Sequence, residues 1–298
     1  MARKNKKSNT SKRLLLLVIV LAVLLVVSRT CRLTGNGREE ARFFEHNKTE
    51  EIQLSESLDN SNNFSDQPMQ TIQPDIPTLL GQISSPSASP LFTPIEIKYA
   101  SREGMYMHKE AYDAFVKMHQ HALNEGVELK IISAFRTFNH QKRIWDNKWE
   151  GRQVLSGNIH ATSIPDPLER ALEILRFSAM PGTSRHHWGT DIDINSLNNT
   201  YFTSGRGLRE FQWLQENAGK YGFCQPYTRK GDTRNAGYEE EKWHWSYMPV
   251  ASIYLQAYSD SVTYRHLENF MGWETAHQLD VIKNYVLSID KSCLTFQH

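Results

Sequence analysis

The stretch Ser184–Asn195 reads SRHHWGTDIDIN and sets an imidazole, His186, seven positions before a carboxylate, Asp193. Gly189 lies between them, and the run Thr190, Asp191, Ile192, Asp193, Ile194 follows. Its period of two predicts a strand with Ile192 and Ile194 on one face and Asp191 and Asp193 on the other. Two carboxylates on a buried strand face are costly unless positive charge sits among them, and a divalent metal would supply it. A second stretch, EEKWHW at 240–245, offers another imidazole, His244, and a carboxylate three positions before it, Glu241. His186, Asp193 and His244 around one zinc would leave an open position for water, with Glu241 unligated beside it. That is the donor set of a hydrolytic site. His187 competes with His186 as ligand, and Glu239 and Glu240 share the acidic run with Glu241.

These residues need elements to hold them. His108–Glu125 carries Ala111, Phe115, Met118 and Ala122 at helical spacing, and Gly126 stops it. His119 and His121 on this helix are expected to be solvated. Val127–Ser133 predicts a strand that runs into Ala134-Phe135-Arg136-Thr137-Phe138, then a helix with Gln141, Ile144 and Trp145. Asp166-Pro167-Leu168-Glu169 is a helix start, with Asp as cap and Pro at the first position. Leu168, Ala171, Leu172 and Leu175 would form its buried face. A helix near Leu208–Tyr221 ends at Gly222, and Gly237–Tyr247 is a loop entering a strand. Helical patterns recur around Thr263–Met271 and Glu274–Leu287. The strands are few and short, so the expected class is α+β, helices on a small antiparallel sheet.

The chain has 298 residues and a formal net charge of +1, so no global field points to nucleic acid. Residues 1–13 carry six Lys or Arg and no acid, and Leu14–Val27 is an unbroken apolar run of 14 residues. Segment 1–32 is therefore expected to be a signal peptide or signal anchor forming an apolar N-terminal helix. From 33 to 93, Ser, Asn, Gln, Glu, Thr and Pro dominate, which predicts a disordered polar tether. Residues 94–298 are long enough for one domain with a real core. Cys31, Cys224 and Cys293 are too few for a disulfide framework. An oxidising compartment would pair Cys224 with Cys293, both inside the expected domain.

The pattern Ser184-x-His186-x-x-Gly189-x-x-x-Asp193, followed by Glu241-x-Trp243-His244, resembles the zinc D-alanyl-D-alanine carboxypeptidases of the vancomycin-resistance (VanY-like) type. Their fold is shared with hedgehog signalling domains. Ser133–Phe138 resembles the arginine segment of the same family. The resemblance implies zinc on His186, Asp193 and His244, with Glu241 as general base. It further implies that Arg136 stabilises the substrate and that Ser184 helps to position it. Trp188, Trp243 and Trp245 are expected to wall the site and exclude water, with Trp243 against the substrate. The implied substrates are peptidoglycan stem peptides ending in D-Ala. The implied place is the bacterial cell envelope, with the domain outside the cytoplasmic membrane and tethered to it, or secreted. Other wall dipeptidases, L,D-peptidases or endopeptidases of the same fold, and a zinc-stabilised binding module, are the rival readings. Lys242 stands where proline is usual, and Asp191 where a small residue is usual.

Overall fold

The structure, a computed structural model, describes residues 73–295. Helix α1 (Ile76–Leu79) opens on Asp75, whose carboxylate accepts from the Thr78 amide at 3.0 Å. Its last residue, Leu79, and the Leu80 that follows are 0% and 2% exposed. Strand β1 (Phe92–Pro94) pairs antiparallel with β2 (Tyr106–His108). The polar tether therefore does not run to 93. The Ser- and Pro-rich composition hides a few apolar residues, and those few are buried. Gly81, with φ +69°, passes so close to His187 that a Cβ there would sit 2.3 Å from its Nδ1. The apolar run Leu14–Val27, Cys31 and the tether up to residue 72 lie outside the described residues. Among the described residues no helix is long and apolar enough to cross a membrane.

Helix α2 (Lys109–Asn124) buries Ala111, Phe115, Met118 and Ala122, the expected stripe. His119 is also buried, edge-on to Tyr99, which corrects its expected solvation. Strand β3 is only Ile131–Ser133, shorter than the predicted Val127–Ser133. Helix α3 (Phe138–Trp149) is capped by Thr137 Oγ1, which accepts from His140 N at 3.1 Å. Helix α4 (Pro167–Leu175) starts on Asp166, which accepts from the amides of Leu168 and Glu169. Its buried face is Ala171, Ile174 and Leu175, while Leu172 is 44% exposed. Strand β4 (Asp191–Ile194), helix α5 (Gly205–Asn217), β5 (Phe223–Cys224) and β6 (His244–Tyr247) follow. β6 runs without a loop into α6 (Met248–Ser261), which buries Val250, Ala251, Tyr254, Leu255 and Tyr258. The expected helices over Thr263–Met271 and Glu274–Leu287 are instead short pieces, among them α7 (Thr275–Gln278); α8 (Lys291–Leu294) closes the described chain.

The sheet order is β3-β4-β6-β5, all antiparallel. Ile192 and Ile194 turn to the core that α2 and α5 build with Phe115, Met118, Phe202 and Leu214. A second core of Leu79, Leu80, Trp145, Trp188, Tyr254 and Tyr258 lies around α3, α4 and α6. Register sets Asp191 opposite Ser246 and Asp193 opposite His244. By the two-residue period of the pleat these four share one sheet face, the one left for the site.

Candidate functional site

The tight turn Arg185–Trp188 delivers His186, and Gly189, at φ +68°, turns the chain into β4. A Cβ on Gly189 would meet Phe92 at 2.6 Å and the His108 amide at 2.9 Å, so glycine is required there by both space and conformation. His186 and β3 are strapped together by backbone: Arg136 N donates to His186 O at 3.0 Å. The His186 ring completes the strap, its Nδ1 lying 2.8 Å from Ala134 O. That contact assigns the proton to Nδ1 and leaves Nε2 as a lone pair.

His186 Nε2 lies 3.3 Å from Asp193 Oδ1, and both atoms are buried without a hydrogen-bond partner. His244 Nε2 lies 2.9 Å from Asp191 Oδ2 and donates to it, so in the neutral ring His244 Nδ1 is a lone pair, and in the protonated ring a second donor. It faces Asp193 Oδ1 at 3.4 Å and Glu241 Oε2 at 3.0 Å. The donor atoms of His186, Asp193 and His244 lie within 4.8 Å of one another. Acceptors turned on acceptors in a dry site repel unless a cation sits among them. A proton can take that place: burial disfavours charge on His244, but Asp191 and Glu241 outweigh it and push its pKa up to about 9. A metal ion would fill it with all three donors at once. Burial likewise pushes the Asp193 carboxyl up, yet His186, His244 and Arg136 prevail and hold it down at about 2. Burial raises the Glu241 carboxyl, in spite of its hydrogen bond with His244.

The residues competing for these places have other partners. His187 Nδ1 donates to Arg136 O at 2.7 Å and its Nε2 accepts from Gly182 N at 3.1 Å, so neither nitrogen is left for a metal. Glu239 pairs with Lys230 at the surface. Glu241 alone of its acidic run is buried, its amide held by Tyr227 O.

A cleft of about 790 Å³ opens over these groups. Arg136, Ser184 and Trp243 line it. Arg136 donates to Gln141 Oε1 at 2.8 Å and lies 3.8 Å from Asp193, with its Nε unpartnered. Gln141 is fixed in turn by donating to Ala179 O at 2.7 Å. Trp243 is the one tryptophan of the expected three on the cleft wall. Trp188 is in the core, donating to Leu79 O, and Trp245 packs on the α2 side of the sheet. Leu197 and Val154 stand exposed at the cleft instead.

Arg185 and Asp191 were not singled out as a pair by the sequence. Both side chains are wholly buried, with Nε to Oδ2 at 3.0 Å. Ser246 Oγ accepts from Arg185 at 2.6 Å and donates to Asp191 Oδ1 at 2.7 Å, and Thr190 Oγ1 donates to the same oxygen at 2.8 Å. Burial opposes ionisation of Asp191, but Arg185 and His244 keep its carboxyl far below the usual range. The alternation that put Asp191 beside Asp193 was the available signal; the adjacent Arg185 was the missing counter-charge. Cys224 and Cys293 form a disulfide with Cα atoms 5.6 Å apart, away from the site.

A sequence model of the VanY family, described as D-alanyl-D-alanine carboxypeptidase, matches residues 104–250. The YodJ protein of Bacillus subtilis strain 168, named as a carboxypeptidase, is 33% identical over 145 residues, 48% of this chain and 46% of that protein. A D-alanyl-D-alanine carboxypeptidase of Enterococcus faecalis V583 is 29% identical over 131 residues, 42% of each chain. The chain thus matches less than half the length of these curated relatives. Among solved structures, the LdcB LD-carboxypeptidase superposes with a TM-score of 0.43 at 24% identity, covering 64% of this chain and 79% of that one. A variant of the vancomycin-resistance D,D-pentapeptidase VanY in complex with Zn(II) gives 0.40 at 23%, covering 59% and 94%. The segment that holds Arg136, His186, Asp193, Glu241 and His244 lies inside the matched residues, so the similarity to the VanY family of D-alanyl-D-alanine carboxypeptidases spans the whole candidate site.

Proposed function

We propose that this chain is a zinc-dependent D-alanyl-D-alanine carboxypeptidase with a hedgehog/D,D-peptidase-type fold, acting on peptidoglycan stem peptides. One observation carries the reading: His186 Nε2, Asp193 Oδ1 and His244 Nδ1, all buried, converge on one point, and the first two have no hydrogen-bond partner. His186, Asp193 and His244 would hold the zinc, a set of three protein ligands with one position open. When bound, zinc supplies a Lewis acid that brings the pKa of water down to about 7.

The chain's own groups do the rest. Glu241, buried and raised in pKa, takes the proton of the attacking water and passes it to the departing amine. Its distance to His244, 3.0 Å, puts it at the edge of the ligand set. Arg136, held by Gln141, offers its unpartnered Nε–H to the oxyanion that forms at the scissile carbonyl. Trp243 and Ser184 shape the cleft floor and exclude water. The basic, apolar N-terminal stretch and the Cys224–Cys293 disulfide favour an envelope location, with the domain outside the cytoplasmic membrane.

Incubating the purified, zinc-loaded chain with muropeptides and weighing the products by mass spectrometry tests this. Loss of one terminal alanine from pentapeptide stems is expected. Loss of a two-residue unit, cleavage inside the stem, or no change would each replace the assignment by one of its rivals.

A further inference from the structure

Beside Arg136, Arg102 and the Asp191-paired Arg185, the cleft is lined by Lys148, a half-buried cation that the reaction above leaves unused. His140, Ile144 and Lys148 follow one another at intervals of four on α3 and line the cleft, while Gln141 and Trp145 are buried. Side chains on a helix lean toward its N-terminus, so the Lys148 stem leans back toward Gln141 and the Arg136 that Gln141 holds. Lys148 is half-buried. Its ammonium donates to Ser178 Oγ, a buried hydroxyl that also lines the cleft. Among the described residues no carboxylate pairs with it: Asp146 takes Lys142, Glu150 takes Arg152 and Glu173 takes Arg176. Burial, and after it the charge of Arg136, lower the pKa of Lys148 to about 8. An ammonium kept half out of water with only a hydroxyl for company is an incomplete ion pair whose missing half is an anion entering the cleft.

We infer that Lys148, with Ser178, receives the free terminal carboxylate of the substrate. This rests on the carboxypeptidase reading and divides the labour within it. Arg136 is tied to Gln141 and lies 3.8 Å from Asp193, so its fork faces the reacting carbonyl. The terminal carboxylate lies one residue beyond that carbonyl, and Lys148 lines the same cleft from α3. Lys148 is a specificity residue: it decides which peptides enter, and it touches no group that gains or loses a proton in the reaction.

The test compares a peptide ending in D-Ala-D-Ala with a free carboxylate against its C-terminal amide, using the zinc-loaded full chain. The wild type should prefer the acid. Lys148→Met should raise KM for the acid by about tenfold to a hundredfold, the loss of one charge-assisted hydrogen bond. It should leave kcat and zinc content close to wild type and the amide unaffected, which abolishes the preference. Lys148→Arg should restore most of it, and it serves as the second variant if Lys148→Met is poorly folded. A wild type that prefers the acid, with Lys148→Met preferring it equally, overturns the inference and leaves the carboxypeptidase reading standing. A wild type that cleaves acid and amide alike overturns both.

Discussion

His244 is held from two sides, and the two sides have separable consequences. Glu241 faces its Nδ1 and Asp191 receives the proton of its Nε2. Glu241→Ala removes a group that is not a ligand, so zinc content and fold should survive while turnover falls about 10²–10⁴-fold. Metal analysis beside a peptide assay checks this, and near-normal turnover would move the proton transfer elsewhere. If His244 is a zinc ligand, as proposed, Asp191 orients it from behind, the kind of support whose loss costs about 10–100-fold in metal affinity. Asp191→Asn also leaves Arg185 buried without its counter-charge, which destabilises by about 3–5 kcal/mol. The double variant Arg185→Met, Asp191→Asn separates the two effects. It should regain much of the lost stability in urea melts and still bind zinc weakly in a chelator competition. Wild-type zinc affinity in the double variant would show that Asp191 serves Arg185 alone.

At the scale of elements, the boundary of the domain is the point of most consequence. α1 and β1 belong to the folded unit: Trp188 Nε1 donates to Leu79 O at 3.2 Å, and Phe138 N to Gly81 O at 2.7 Å. A fragment starting at 94 lacks Leu79, Leu80 and Phe92, all buried. Each large core side chain lost costs about 2–5 kcal/mol. Three of them reach the total stability of an ordinary domain, about 5–15 kcal/mol. Residues 94–298 should therefore express as unfolded or protease-sensitive protein, and residues 73–298 should melt cooperatively by circular dichroism. Equal melting of the two would mean that α1 only rests on the surface. The same segment shows what sequence could and could not carry. The strand DIDI, the cap at Asp166 and the stripe of α2 are local patterns, and each was legible; the convergence of His186, Asp193 and His244 joins two distant stretches that residue type alone singled out. α1 was not, because its two leucines sit in a polar stretch and only tertiary contact buries them. α6 was not, because no turn residue separates it from β6 and its Pro249 already stands in its first turn. Nor was the Arg185–Asp191 pair: carboxylates on a strand face call for positive charge, and residue type alone does not distinguish a metal from a buried guanidinium.

For the whole molecule, the chain's C-terminal segment has to be kept on the sheet that carries the site. Two locks do this. Asp290 accepts from Thr228 at 2.5 Å and Thr233 at 2.6 Å, and its amide donates to Pro226 O at 2.9 Å. Beside it, Cys293 is bonded to Cys224 at the end of β5, across a sequence separation of 69. In the chain-entropy model a loop of that length stabilises by about 4 kcal/mol, through the unfolded state. Reduction should therefore lower the urea midpoint substantially while leaving the native fold and the zinc content intact, because neither cysteine touches the ligands and Asp290 still holds the tail. The chemistry can be counted independently. Unfolded but unreduced 73–298 should show no reactive thiol, and after reductant two. A midpoint that does not move on reduction would make the hydrogen bonds of Asp290 the sole effective anchor. In that case Asp290→Ala, which removes four side-chain acceptor contacts at once, should release the segment in the reduced protein and not in the oxidised one.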